Sequence, residues 1–385
     1  MTKKLYNSQP YEKQFHGVVT QVREKEGVWE VALDQTLFFP EEGGQVCDIG
    51  TLNGEEVADV QIEQDVLWHR MKGECALKAG QEVTGTIDFA RRYDLMQQHT
   101  GEHILSGTIY RNFGYANVGF HCSTDIVTVD VGGPLTEEEI LRMEKEANEA
   151  VQRNAAIVVS YPTTEEQKEL TYRSKKEIEG ELRIVTIEGI DCCACCAPHV
   201  QRTGEVGSIQ IVNWENYKGG VRLEIKCGMR AIKDACGKRA VLKQLNKQLS
   251  SKTEELPSAV ERLLNENMQL KGELARLQEQ LLDVKANEIP EQERIILVEE
   301  GLEGANHRKF VNLLMTKASL LTAVLVPVGE NGFRYIIASD QSDLKALQEQ
   351  LKLQFEAKGG GKAPMIQGTL YGEKEEILKF LRCCE

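Results

Sequence analysis

The first part of the chain alternates hydrophobic and polar residues with a period of two. Short runs with this period, separated by turn residues, predict β-strands. The runs lie at Gly17–Arg23, Val28–Leu33, Val66–Arg70 and Gly80–Ile87. Several short strands at close spacing are typical of a barrel or a sandwich, and we predict a small β-barrel over residues 1–88.

Residues 89–235 mix helical and strand patterns. A helix is expected over about Arg91–Arg111. A second is expected over about Thr136–Arg153, because Pro134 precedes it and three glutamates occupy its first turn. Strands are expected near Arg183–Ile187, Gly207–Asn213 and Arg222–Cys227. This part of the chain is therefore predicted to form an α/β core.

The remainder of the chain divides into a helical linker and a small domain. Residues 236–286 have a helical pattern interrupted at Pro257, and residues 287–385 predict a separate βαββαβα domain. After the proline, hydrophobic residues recur with heptad spacing, as in a coiled coil. The a and d positions are Val260, Leu263, Asn267, Leu270, Leu274, Leu277, Leu281 and Val284. They fit either a self-association helix or one arm of an intramolecular hairpin. The expected class of the whole chain is α+β.

Composition limits the class of protein. The 385 residues, 41% hydrophobic and 28% charged, predict two or three globular domains. The uncharged run Ala318–Gly329 is too short to cross a bilayer, and the first residues lack the apolar region of a signal peptide. We therefore expect a cytoplasmic protein with no membrane partner, whose 11 cysteines stay reduced.

One basic stretch interrupts an acidic chain of net charge −14. Between Asn216 and Lys252 there are ten Lys or Arg residues and two acids, a local excess of +8. A basic stretch on an acidic protein can attract a polyanion such as RNA to one place. A solvated helix face is the alternative interpretation.

Two clusters of residues are candidates for metal binding. His99 and His103 are four residues apart on a predicted helix and so share one face, although a plain surface face is the alternative. The second cluster comprises Cys192, Cys193, Cys195, Cys196 and His199. Reduced thiols at this density bind metals or do redox chemistry, and a structural zinc knuckle is the alternative. The two histidines, one thiolate and His199 would make a tetrahedral N/S set that suits zinc.

Together these motifs resemble the editing domain of alanyl-tRNA synthetases. That domain carries His-x-x-x-His, Cys-x-x-x-His and a following Thr-Gly-Glu run. The matching segments are His99–His103, Cys195–His199 and Arg202–Gly207. Leu33–Gln45 resembles the family's glycine-rich signature, with Glu42 in place of one glycine, and Gly359–Gly368 resembles the synthetases' C-terminal domain. No aminoacylation domain precedes the signature, so the chain resembles the stand-alone editing proteins of the AlaX type, long form.

The resemblance implies a zinc-dependent, ATP-independent aminoacyl-tRNA deacylase. Its substrate would be mischarged tRNA(Ala), chiefly Ser-tRNA(Ala), with Gly-tRNA(Ala) as a second candidate, since a pocket for alanine rejects glycine and serine incompletely. One zinc ion would be bound by His99, His103, Cys195 and His199, with Cys196 as the alternative thiol. Glu102 and His121 are candidate general bases, although both also fit solvent-facing positions. The alternative function is a non-catalytic tRNA-binding protein with a structural zinc.

RNA contacts are expected in the basic segments and in the glycine-rich segments. Glycine N–H groups can approach phosphates closely, although plain flexible turns are the alternative. The candidate residues are Arg91, Arg92, Lys218, Arg222, Lys226, Arg230, Gly43, Gly44, Gly360, Gly361 and Lys362. The expected partners are tRNA(Ala) and a second copy of this chain, bound through residues 258–385.

Overall fold

The computed structural model describes residues 2–174 and 182–384. The chain forms two compact units, Met1–Lys243 and Gln244–Glu385. The described residues contain eight α-helices and several β-sheets, so the predicted α+β class is confirmed. Among the described helices, none combines the length and the apolar composition that crossing a bilayer demands.

A barrel begins the first unit. The strands up to Ile87 are β1 Lys3–Lys4, β2 Gln14–Lys25, β3 Val28–Leu33, β4 Gln35–Thr36, β5 Gly50–Leu52, β6 Glu55–Glu63, β7 Val66–Met71 and β8 Glu82–Ile87. Six of them close in the order β2-β3-β7-β6-β5-β8 around a core that includes Val31, Leu52 and Leu67. The hydrophobic pattern missed β5 and β6, because β5 has three residues and β6 carries four acids.

The rest of the first unit packs one long helix against two sheets. Its elements are α1 Phe89–Phe113, β9 Asn117–Cys122, β10 Val127–Val131, α2 Glu137–Gln152, β11 Ile157–Ser160, α3 Thr164–Glu169, β12 Ile184–Ile187, β13 Asp191–Ala194, β14 Ile209–Tyr217 and β15 Gly220–Cys227. One sheet has the antiparallel order β14-β15-β10-β9, and the other has the order β11-β12-β13. Helix α4, Gly228–Leu249, follows and continues into the second unit.

Helix α1 lies in the middle of this core. Asp88 caps its first turn by accepting the Arg91 N–H, and Gly114 ends it in a left-handed conformation with φ of +71°. Every residue from Gln98 to Ile109 is buried, although many of them are polar. Buried polar groups require hydrogen-bond partners, and the neighbouring segments supply them around His99 and His103, as described below.

The second unit contains a long helix and a five-stranded sheet. Its elements are α5 Leu256–Glu288, β16 Gln292–Val298, α6 Gly304–Met315, β17 Ala318–Pro327, β18 Gly332–Ala338, α7 Leu344–Gln354, β19 Lys358–Lys362, β20 Met365–Tyr371 and α8 Lys374–Cys383. The strand order is β16-β17-β18-β20-β19, and two apolar clusters contain helices from this unit. After α5 the order is therefore βαββαββα, one strand more than predicted.

The extra strand, β19, is the glycine-rich segment itself. Gly359 and Gly368 pair across β19 and β20, and a Cβ on either would lie within 2.9 Å of the Tyr335 hydroxyl. The alternative of a plain flexible turn is therefore wrong for this segment. Gly360 and Gly361 are exposed on the same strand.

The break between the two long helices comes earlier than predicted. Helix α4 ends at Leu249, Ser250 takes a left-handed φ of +49°, and α5 starts at Leu256 with Pro257 in its first turn. Proline is favoured there because a first-turn N–H has no helical partner. The seven apolar a and d residues of α5 are each 43–64% exposed. No described segment of the second unit buries this heptad stripe.

Candidate metal centre

Three histidines and a cysteine meet between α1 and the segment that follows β13. His99 and His103 occupy adjacent turns of α1, and Cys195 and His199 come from the following segment. One donor atom from each lies within 4.8 Å of the others. The Cys195 sulfur is 3.5 Å from His99 Nε2 and 3.3 Å from His199 Nε2. Imidazole nitrogen and thiolate sulfur are preferred zinc donors, so this set fits zinc.

The second ring nitrogen of each histidine is held by a separate polar side chain. The Nδ1 partners are Gln45 for His99 at 2.8 Å, Asp191 for His103 at 2.9 Å and Thr100 for His199 at 3.0 Å. With Nδ1 donating to these oxygens, the Nε2 atoms remain as acceptors. Such outer partners fix both the tautomer and the orientation of metal-binding histidines.

The electrostatics of the cluster also suit a cation. Burial opposes ionisation of Cys195, but the surrounding histidines, His99 most of all, hold the pKa of its thiol well below the usual value. Burial lowers the pKa of His199 to about 3, so this ring is neutral. A thiolate beside a neutral imidazole is the state that binds a metal.

The neighbouring thiol of Cys196 has a different environment. A Cβ on Gly43 would lie 3.1 Å from its sulfur, so this thiol faces the glycine-rich loop. Burial, and then the nearby Cys195, raise the pKa of the Cys196 thiol. The structure therefore brings Cys195, rather than Cys196, to the histidines.

A second group, formed by His103, Asp191 and Cys193, also has donor atoms within 4.8 Å. Its members already take part in a hydrogen-bonded network. Asp191 already accepts from His103 and, at 2.7 and 2.8 Å, from Arg173. Burial raises the pKa of the Cys193 thiol to about 11, so this thiol stays protonated at neutral pH.

Arg173 links the two carboxylates that flank His103. Besides Asp191, it donates to Ser106 at 3.1 Å, and Ser106 donates to Glu102 at 2.7 Å. Arg173 lies in an irregular segment after α3 with no motif around it. Arg173 was therefore not predicted as a site residue.

The two candidate general bases lie in opposite environments. Glu102 is buried, accepts from Ser106 and Asn117 through Oε1, and has Oε2 3.9 Å from His103 Nε2. His121 is exposed on β9, one residue after Phe120, whose ring lies 4.7 Å from that of His99. Because successive strand residues point to opposite faces, His121 points away from the cluster. The solvent-facing alternative is therefore wrong for Glu102 and fits His121.

The glycine-rich loop positions Gln45 against His99. Gly43 and Gly44 have φ of +63° and +83°, and a Cβ on Gly44 would lie 2.4 Å from the Phe120 carbonyl oxygen. Only glycine combines this backbone with so close an approach. The left-handed positions do not include residue 42, so Glu42 in place of a glycine is compatible with the loop.

Arg92, in the first turn of α1, was wrongly predicted to contact RNA. Arg92 is fully buried, bonded to the buried carboxylate of Asp48 and to the carbonyl oxygens of Pro10 and Leu37. A guanidinium in this position has no access to a phosphate. Arg91 is partly buried and donates to the Cys47 carbonyl at 3.0 Å.

Several residues of the basic stretch pair with acids, and two of these acids, Asp94 and Asp130, lie outside the stretch. The pairs are Arg222 with Asp130 at 2.6 Å, Lys226 with Asp234 at 2.7 Å and Arg230 with Asp94 at 2.6 Å. Lys218 lies in the exposed β14–β15 turn, over the Tyr217 ring, and Lys362 is exposed at the end of β19. Counting charges along the sequence therefore overestimates the positive potential of this stretch.

Comparisons with known proteins agree with the motifs. The model of the threonyl and alanyl tRNA synthetase second additional domain matches residues 182–224, and that of the class II (A) tRNA synthetases matches residues 5–91. The alanine–tRNA ligase of Pyrococcus abyssi is 33% identical across 96% of this chain and 42% of its own length. The alanyl-tRNA editing protein AlaX-L of Pyrococcus horikoshii is 28% identical across 98% of this chain and 96% of its own length. The chain spans less than half the length of the ligases it matches, and the resemblance to the editing proteins is confirmed.

Proposed function

We propose that this chain, a relative of the alanyl-tRNA editing proteins over almost its whole length, is a hydrolase that removes wrongly attached amino acids from tRNA(Ala). Its main substrate is Ser-tRNA(Ala), and Gly-tRNA(Ala) is the second. The observation that carries the proposal is the buried cluster of His99, His103, Cys195 and His199, with donor atoms within 4.8 Å. Ester hydrolysis of this kind consumes no ATP, and the cytoplasmic location stays a prediction from the sequence.

The four residues of the cluster would hold one zinc ion per chain. Zinc supplies Lewis-acid polarisation of an ester carbonyl when it is bound at such a site. Hydrogen bonds to the Nδ1 atoms fix the orientation of the three imidazole rings for metal binding. The partners are Gln45, Asp191 and Thr100.

Glu102 is our candidate for the general base. Its Oε2 lies 3.9 Å from His103 Nε2, and Ser106 and Asn117 hold its other oxygen. It takes a proton from water as the water oxygen attacks the ester carbonyl carbon. The proton then passes to the ribose oxygen as the ester bond breaks, which yields the free amino acid and uncharged tRNA.

Gln45 has a second role in this proposal. Its Oε1 accepts from His99, while its buried Nε2 has no acceptor among the described residues. A buried N–H without a partner is costly. We assign it to the carbonyl oxygen of the substrate, where negative charge develops.

The proposed partners are tRNA(Ala) and a second copy of the chain. Among the basic candidates, Lys218 and Lys362 are exposed and suit phosphate contacts, with the exposed Gly360 and Gly361 beside the latter. The heptad stripe of α5 suits self-association, because its hydrophobic residues are exposed at helical spacing.

Deacylation assays with three substrates test the function. The zinc-loaded protein should hydrolyse Ser-tRNA(Ala), hydrolyse Gly-tRNA(Ala) more slowly and spare Ala-tRNA(Ala), and removal of zinc with a chelator should abolish the activity. A protein that holds zinc and binds tRNA(Ala) but cleaves none of the three would instead be the non-catalytic tRNA-binding protein.

A further inference from the structure

A cavity of about 410 Å³ lies beside the metal centre in the first unit. Its walls come from the C-terminal half of α1, from β12 and β13, and from residues 171–173. The side chains that matter here are Tyr110, Arg111, Arg173 and Asp191. The volume lies within the range of small-molecule sites and can hold one nucleotide.

The cavity is close to the metal centre along α1. Gly107, Tyr110 and Arg111 follow His103 by four, seven and eight residues, so they share its helix face. These spacings correspond to about 6–12 Å along the helix axis. The ion pair of Arg173 and Asp191 lines the cavity, and Asp191 also holds His103.

The walls offer an aromatic face and guanidinium groups. Tyr110 is 45% exposed, and the Arg173 guanidinium lies 5.9 Å from its ring centroid. The Arg111 side chain is also 45% exposed, although it donates to the Gly189 carbonyl and lies 3.5 Å from Glu146. Aromatic rings stack on bases, and guanidinium groups bind phosphates.

Negative charge in the cavity is limited. Among the described residues that line it, Asp191 is the single acid, and its side chain is 1% exposed and paired with Arg173. Outside the cavity wall, the partly exposed Glu146 lies 3.5 Å from the Arg111 guanidinium, so a phosphate at Arg111 would share this guanidinium with it.

We propose that this cavity binds one nucleotide of the single-stranded 3′ end of the tRNA, with the base on Tyr110 and the phosphate on Arg111. The identification of tRNA as the source rests on the proposed function, whereas the nucleotide chemistry rests on the cavity alone. With the ester at the metal centre, the nucleotide is the terminal adenosine or the cytidine before it.

Direct binding tests the cavity without any assumption about catalysis. Calorimetric titration of the zinc-loaded full chain with AMP and with CMP should show binding of at least one nucleotide, tighter than inorganic phosphate. Tyr110→Ala should weaken that binding roughly tenfold, as expected for loss of one base stack. Tyr371→Ala, an equally exposed tyrosine in the second unit, is the control and should bind as wild type does. AMP preference would assign the terminal adenosine, and CMP preference the nucleotide before it.

A kinetic measurement separates the cavity from the proposed function. Tyr110→Ala should raise KM for Ser-tRNA(Ala) roughly tenfold, with kcat and zinc content unchanged. Absence of nucleotide binding, or affinities equal in wild type and Tyr110→Ala, would overturn the cavity assignment even if deacylation is observed. Nucleotide binding that depends on Tyr110, in a protein that deacylates nothing, would support the cavity and reject the proposed function.

Discussion

Helices α1 and α5 depart from the usual amphipathic pattern in opposite directions. Helix α1 buries a row of polar residues, and α5 exposes a row of hydrophobic ones. The buried polar residues of α1 include His99, Thr100, Glu102, His103 and Ser106. The seven apolar residues of the heptad stripe on α5 are 43–64% exposed. Buried polar groups and exposed apolar patches are the two informative exceptions to ordinary burial.

The two helices differ in where these unusual side chains find their contacts. The polar groups of α1 find their partners within the chain, in Gln45 of the glycine-rich loop, Asp191 of β13 and Asn117 of β9. The stripe on α5 is left uncovered by the described residues of its own unit. Changes around α1 should therefore affect chemistry in a single protein molecule, and changes on α5 should affect association between molecules.

The largest effect is expected from Cys195→Ala. This change removes the thiolate that the histidines stabilise, so bound zinc should fall to near zero. The rate of Ser-tRNA(Ala) deacylation should fall by more than about 100-fold, beyond the range for loss of a supporting residue. Atomic absorption and a deacylation time course measure the two quantities.

Cys196→Ala is the matched control for that change. Its thiol faces Gly43 and has a raised pKa, so zinc and activity should stay near wild type. Zinc loss in Cys196→Ala but not in Cys195→Ala would reverse the assignment of the ligand.

The next largest effect is expected from Arg173→Met. Its guanidinium holds Asp191 directly and Glu102 through Ser106, so its loss should reduce zinc affinity or kcat by about 10–100-fold. Arg70→Met is the control, because Arg70 likewise pairs at 2.9 Å with a buried carboxylate, that of Glu30, but in the barrel. A chelator competition and the pH profile of kcat distinguish a positioning role from general destabilisation. Equal losses in both variants would mean that Arg173 has only a structural role.

Local patterns predicted much of the fold. The alternation of hydrophobic and polar residues predicted β3 with its observed bounds, Val28–Leu33. The glutamates in the first turn of α2 indicated where that helix begins. Strand β6 was not predicted because its four acids interrupt the hydrophobic pattern. The strand forms because residues distant in sequence pair with these acids, as Arg23 does with Glu63. Strand β19 has no hydrophobic pattern at all and exists because β20 pairs with it.

The candidate site likewise has residues that local sequence patterns predict and residues that they do not. Histidines four residues apart and a dense cysteine cluster are visible in the sequence, and the structure brings their donor atoms together. Arg173 is invisible, because its role depends on contacts with Asp191 and Ser106, 18 and 67 residues away. The pairing of Arg230 with Asp94 spans 136 residues and could not be read from local charge.

His69 is a buried histidine outside the metal centre, and its protonation should affect stability rather than chemistry. It is fully buried in the barrel and bonds to Thr36 and the Val31 carbonyl, and burial lowers its pKa to about 4. In the unfolded chain its pKa is near 6.5, so between these values the unfolded state binds more protons. The free energy of unfolding should therefore decrease as the pH is lowered, by about 2 kcal/mol between pH 7.5 and pH 5 for this residue.

Urea unfolding followed by tryptophan fluorescence, to which Trp29 and Trp68 of the barrel contribute, measures this dependence. His69→Gln should be less stable at pH 7.5 but should lose about 2 kcal/mol less than wild type on moving to pH 5. Identical pH dependence in the two proteins would show that protonation of His69 does not contribute to acid destabilisation.

The smallest effect on folding, and the sharpest test of α5, is expected from the double change Leu270→Glu and Leu277→Glu. These side chains are 64% and 56% exposed, so the free energy of unfolding should change by no more than about 0.5 kcal/mol. Self-association should be lost, because charges would replace hydrophobic contacts along the heptad stripe. Leu353→Glu, at an 89% exposed position on α7, is the control. Sedimentation equilibrium should show dimers for wild type and Leu353→Glu and monomers for the double variant. A monomeric wild type, or a double variant that still dimerises, would remove self-association as the reason that α5 exposes its hydrophobic stripe.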